Sequence, residues 1–180
     1  DSMLGNADAF NQNIGGWDTS KVTSFRYLFY STDSFDQDIG GWNTSNVNSM
    51  FGTFQKANSF NQDISGWDLS QVTEMRSMFG DAIAFNQDLS AWDTSSVTSL
   101  YATFGTTHAF NQDLSGWNTS RVTTVASTFS SASARRCSSV AIVAFIEPTS
   151  FSSCSTFCAM ASFVALSCIG FVCSFAPRAF

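Results

Sequence analysis

The side chains of this chain that could do chemistry recur at a fixed interval. Asn13, Asp38, Asp63, Asp88 and Asp113 keep one constant step, each standing two positions before Gly15, Gly40, Ser65, Ser90 or Ser115. If the apolar residues between them (Ile14 and its equivalents) point inward, strand alternation sets the acids on the open face of a sheet. Like charges opposite one another on neighbouring strands are destabilising unless something compensates. Such a column could hold a cation such as Ca²⁺, offer acceptors to a sugar or a basic protein, or simply be hydrated and bonded to nearby backbone N–H groups. One carboxylate per strand falls short of the roughly six to eight oxygens Ca²⁺ takes, which favours the last option and argues for no metal site.

Two further columns bear on recognition. Asp18, Asn43, Asp68, Asp93 and Asn118 form one. Two of its members open the sequons Asn43-Thr44-Ser45 and Asn118-Thr119-Ser120, candidate glycosylation sites in a eukaryotic secretory pathway. Asn and Asp are also interchangeable turn and cap formers there. The other column, Arg26, Phe51, Arg76, Tyr101 and Ala126, changes from unit to unit. Its aromatics Phe51 and Tyr101 are better candidates for partner discrimination than the uniform acids.

Composition removes several classes. The 180 residues carry 8 Lys plus Arg against 14 Asp plus Glu, a net charge of −6, which argues against a phosphate-binding surface and hence against nucleic acid as a partner. A single histidine, His108, excludes His-based metal clusters and offers no base for a repeated nucleophile pair. No cofactor motif is present, and an enzyme is not expected.

The elements that position these columns belong to one repeated unit. Phe10, Phe35, Phe60, Phe85 and Phe110 keep a 25-residue step, as do all five tryptophans, Trp17, Trp42, Trp67, Trp92 and Trp117. The glutamines from Gln12 to Gln112, the serines from Ser20 to Ser120 and the valines from Val22 to Val122 never vary, nor do the phenylalanines from Phe29 to Phe129. The array divides into a partial unit over 1–9 and five units over 10–34, 35–59, 60–84, 85–109 and 110–134.

Within a unit, Val22, Phe25, Leu28 and Phe29 fall at the spacing of one helix face, behind the side-chain oxygens of Asp18, Thr19 and Ser20. This predicts a short helix over 20–31. Residues 12–17 predict a short strand ending in a turn at Gly16. One strand and one short helix cannot bury their own apolar side chains, so stacking must supply the core, with parallel strands about 4.8 Å apart.

The run Phe60-Asn61-Gln62-Asp63-Ile64-Ser65-Gly66-Trp67-Asp68, followed by Val72-Thr73, Met75 and Met78-Phe79, resembles the 25-residue repeat of the BspA-like leucine-rich-repeat surface proteins. The resemblance implies a right-handed α/β solenoid of leucine-rich-repeat type, with one short parallel strand and one short helix in each unit. It also implies an extracellular or cell-surface module for protein or glycan interaction or adhesion, without catalytic residues. A structural spacer or stalk with no specific ligand is the alternative.

After Ala134 the composition shifts. All five cysteines lie beyond it, and no charge occurs between Glu147 and Arg178. Residues 157–176 are mostly apolar and long enough to cross a bilayer as a helix. A membrane anchor, a cap on the last repeat and a non-native translation product are the three readings of 135–180. Removing 135–180 should leave the array folded and more soluble, as followed by circular dichroism and detergent-free solubility. Loss of cooperative melting would point to the cap.

Overall fold

The structure is a computed structural model, and it describes residues 2–130. The chain divides into two units, Asp1–Ile146 and Glu147–Phe180. The cysteine-rich tail and the expected membrane segment over 157–176 lie outside the described residues. Among the described residues no helix is long and apolar enough to cross a membrane.

The repeat is real, but the expected α/β leucine-rich-repeat architecture is not what it builds. Among the described residues there is no helix. Extended pairing is confined to single parallel bridges, Ser24 to Ser49, Ser49 to Glu74, Glu74 to Ser99 and Ser99 to Thr124. Each repeat unit is instead a rung made of consecutive turns, stacked in register on the next.

The segment predicted as helix shows why. The N–H groups of Phe25, Tyr27, Phe29 and Ser31 donate to the carbonyls of Ser49, Phe51, Thr53 and Gln55 in the next rung, at 2.8–2.9 Å. The N–H groups between them, of Leu28 and Tyr30, donate to the carbonyls of Phe25 and Tyr27 within the rung. A helix would send all of these to the carbonyl four residues back. Alternation between a neighbour and a local turn requires left-handed residues, and the backbone supplies them at Tyr27 (φ 53) and Ser31 (φ 51). Gly52 and Lys56, Ser77 and Asp81, and Ala102 and Thr106 repeat the pair in later rungs. Val22, Phe25 and Leu28 still face inward, because their spacing suits successive turns as well as a helix face.

The strand expected over 12–17 is likewise absent. Its closing turn exists, with Trp17 N–H donating to the Ile14 carbonyl at 3.0 Å and its equivalents doing the same in every rung. The parallel pairing sits in the Ser24 column, not beside the acids.

The core is a set of aromatic and aliphatic columns. Phe29, Phe54, Phe79 and Phe104 are fully buried and stack on one another at 5.4–5.6 Å between ring centroids. Each also lies nearly parallel to the phenylalanine that opens the following unit, at 4.1 Å for Phe29 with Phe35 and 4.0 Å for Phe54 with Phe60. Buried indoles close the other side. The Nε1–H of Trp42, Trp67, Trp92 and Trp117 donates to the carbonyl of Ile14, Ile39, Ile64 and Leu89 in the rung before, at 2.9–3.1 Å.

Replacing Trp67 by alanine removes a buried ring and the indole bond to the Ile39 carbonyl, which keeps only the Trp42 backbone N–H. We expect the full chain to lose about 3–5 kcal/mol in urea unfolding. A loss below about 1 kcal/mol would show that the Trp column does not hold the rungs together.

Candidate functional site

Most of the repeated polar side chains are occupied by the array itself. In the acid column, the Oδ1 of Asn13, Asp38, Asp63, Asp88 and Asp113 accepts the backbone N–H two residues on, at 2.9–3.0 Å, closing an Asx turn in every rung. The side chains are exposed, but each is tied to its own turn rather than converging on a shared ligand. Among the described residues no group of three or more His, Cys, Asp and Glu could hold a metal ion.

The second polar column behaves alike. Asp18, Asn43, Asp68, Asp93 and Asn118 accept the N–H of Ser20, Ser45, Ser70, Ser95 and Ser120. The exposed sequon residue Asn43 also accepts the Ser45 hydroxyl at 2.7 Å.

These turns shift the carboxylates in one direction. The Ser65 N–H, and then its hydroxyl, hold Asp63 below the usual carboxylate range. The Ser90 N–H and hydroxyl lower Asp88, opposed by desolvation and by the charge of Asp63 one rung away. For Asp18 and Asp93 the hydroxyls of Ser20 and Ser95 contribute most, followed by their N–H groups.

The invariant glutamines have a role that spacing alone does not disclose. The Oδ1 of Asn61 accepts the Asn86 N–H at 2.9 Å and the Gln87 Nε2–H at 3.0 Å, both from the next rung. Asn11, Asp36 and Asn86 receive the same pair of donors.

The column that varies is organised differently. Arg26 and Arg76 sit over the Phe51 ring, with Cζ 5.3 and 5.4 Å from its centroid, and Arg76 also lies 5.2 Å from Tyr101. The sequence-chosen aromatics thus fall in one band, but as partners of the arginines between them. Phe51 is half-buried in this stack, and Tyr101 is 38% exposed. The band extends sideways through Tyr27, 4.7 Å from Phe51, to Tyr30, which carries Lys56 Nζ 5.8 Å over its ring. Gly52 makes room for it: a Cβ there would lie 2.6 Å from two Tyr27 ring atoms.

Beside Tyr27 and Tyr30, an open depression of about 390 Å³ is lined by Ser2, Gly5, Asn6 and Gln55 as well as the two tyrosines. Lys56, Tyr27 and Tyr30 are not singled out by the sequence pattern. The signal available was the alternation of cation and aromatic down the Arg26 column. His108 is exposed and takes no part in the band.

Turn-built rungs stacked in register on a common apolar interior, with varied columns on the outside, define a repeat protein. The chain belongs to the family described as Mycoplasma protein of unknown function, DUF285, which matches residues 1–82 and again 60–137. No curated protein and no solved structure matches it.

The lowered carboxylates give a pH dependence with a definite sign. A folded-state pKa below the unfolded value contributes stability that is present above the unfolded pKa and lost as pH falls through the folded one. The melting temperature should therefore drop as pH is lowered from about 4 toward 2. Replacing both Asp63 and Asp88 by asparagine keeps the turns, as Asn13, Asn43 and Asn118 do naturally. It should leave melting at neutral pH within a few degrees and lessen the acid loss, whereas alanine at the same sites should lower melting at both pH values. An unchanged acid loss in the asparagine variant would remove these two turns from the account.

Proposed function

We propose that the array is a non-catalytic interaction module of the cell surface, presenting the Arg26–Phe51–Arg76–Tyr101 band to a protein or glycan partner. One observation carries this reading. The residues identical in every rung are taken up by hydrogen bonds and stacking inside the array. The band differs from rung to rung, remains accessible, and among the varied columns is the one that stacks cations on aromatic rings. Arginine and tyrosine are also the types that dominate binding energy at interfaces.

The resemblance of the repeat to BspA-like surface proteins supports an extracellular setting and an adhesive role. It does not extend to their leucine-rich-repeat fold, which the described residues do not form. A spacer with no specific ligand is the reading favoured by the uniform Asx and Asn/Gln columns, whose groups are satisfied internally.

The two readings separate experimentally. The full chain, immobilised, is offered extracellular-matrix proteins and polysaccharides, alongside a variant with Arg26→Gln, Arg76→Gln and Tyr101→Ser and another with Asp63→Asn and Asp88→Asn. Binding that falls at least about tenfold in the band variant and stays in the acid-column variant is expected. The absence of any band-dependent binding would leave the spacer.

A further inference from the structure

Resting on that reading, we propose that the band recognises an acidic polysaccharide, with Arg26 and Arg76 pairing to acid groups along the chain while the Tyr27–Tyr30–Gln55 depression seats a sugar ring.

The charge distribution comes first. Arg26, Lys56 and Arg76 are three of the five cations among the described residues, and each lies over an aromatic ring of the band. The same residues carry more than twice as many acids, so the band is a cationic strip on an acidic molecule. Its own acids offset it only in part. Glu74 turns Oε1 to the Arg76 backbone N–H at 3.1 Å, and Asp81 follows Lys56 in its column. Among the described residues no carboxylate forms an ion pair with either guanidinium.

Stacking on a ring orders a guanidinium while leaving its N–H edge able to grip an oxyanion in two places. The two arginines are two rungs apart, roughly 9–10 Å at the usual inter-strand spacing. That places two prepared anion forks in a line along the stack, a geometry for an extended polymer rather than a single ion.

Two features favour a glycan over an acidic peptide. The backbone N–H groups of Phe25, Tyr27, Phe29 and Ser31 are already paired with the next rung, so no open edge is offered for strand addition along the band. The depression is open, and its lining sets two tyrosine rings beside the hydroxyl and amide groups of Ser2, Asn6 and Gln55, the mix of ring faces and hydrogen-bonding groups that a sugar ring uses. At about 390 Å³ it falls in the size range of small-ligand sites. Gly5 adds no side chain to its wall.

The test uses the full chain in a biosensor or calorimeter with four probes: polygalacturonate, dextran sulfate, neutral dextran and poly-glutamate. Binding to the two acidic polysaccharides, weakened by added salt and at least tenfold tighter than to dextran or poly-glutamate, is expected. Arg26→Gln with Arg76→Gln should lower that affinity about tenfold or more, and lysine at both sites should restore part of it. Tyr30→Ala should weaken polygalacturonate binding with the thermal melt unchanged. Equal binding to poly-glutamate would reduce the band to a general polyanion surface and overturn the proposal, as would affinity indifferent to both arginines. Binding only to protein partners through the band would overturn it too, while leaving the interaction-module reading intact.

Discussion

The structure depends on a division of backbone hydrogen bonds. In the segment from Phe25 to Ser31, alternate N–H groups leave for the next rung and those between them close turns at home. The first set fixes each rung to its neighbour in constant register, Phe25 on Ser49 through Ser31 on Gln55, and the second fixes the path within the rung. Neither set is stable alone. The path needs left-handed residues at Tyr27 and Ser31, neither of them glycine, a conformation costing about 1–3 kcal/mol per residue unless the surroundings hold it. The bonds between rungs hold it, and they exist only if the path is already in place. Local conformation and stacking are therefore one cooperative event, which is why the unit recurs with so little change.

Side chains extend the same reciprocity into the core and its rim. The buried Thr53 donates its hydroxyl to the Phe25 carbonyl in the previous rung and to the Met50 carbonyl of its own. Thr103 and Thr128 reach back to Met75 and Leu100 in the same way. Thr19 and Thr44 reach forward instead, to Asn43 and Asp68. Each indole reaches back to a carbonyl that already closes the turn of its own rung, adding a second donor and so tying that turn to the next rung. A polar residue whose partner lies one rung away cannot change without affecting the rung beside it, so the Trp and Gln columns are uniform for a physical reason. The threonine column is less strict: Thr19, Thr44 and Thr94 each bond the next rung, yet the buried Leu69 fills the same place by apolar packing alone.

Much of this was legible in the sequence, though not its geometry. The period and the inward columns at Phe29, Val47, Met50 and Phe54 were readable, because burial imposes apolar identity whatever the backbone does. The exposure of the acids was readable for the same reason. The helix over 20–31 was not a sound inference. Val22, Phe25 and Leu28 are compatible with two backbones, and only the destination of the N–H groups separates them. Gly52, Gly80 and Gly105 within that stretch were the available warning, since helices disfavour glycine in their interior. The Asn–Gln clamp was hidden because its partners, such as Asn61 and Gln87, stand in different units and meet only once the rungs are stacked. The Arg–Phe–Arg–Tyr alternation was visible as letters, but its meaning required knowing that column neighbours stack face to face.

The same constraint explains how recognition can vary without disturbing the fold. The column holding Tyr27 also holds Gly52, Ser77 and Ala102, all at positive φ, so its backbone is fixed while its side chain is open to choice. The Arg26 column beside it accepts a cation, a phenylalanine, a tyrosine or an alanine without altering the bonds between rungs. Choices in the two columns then act on each other through space rather than through the fold: glycine at 52 admits the Tyr27 ring, and that ring packs against Phe51 between its two arginines. A surface written this way can be rewritten rung by rung, because stacking rests on buried side chains and backbone bonds that these outer choices leave untouched.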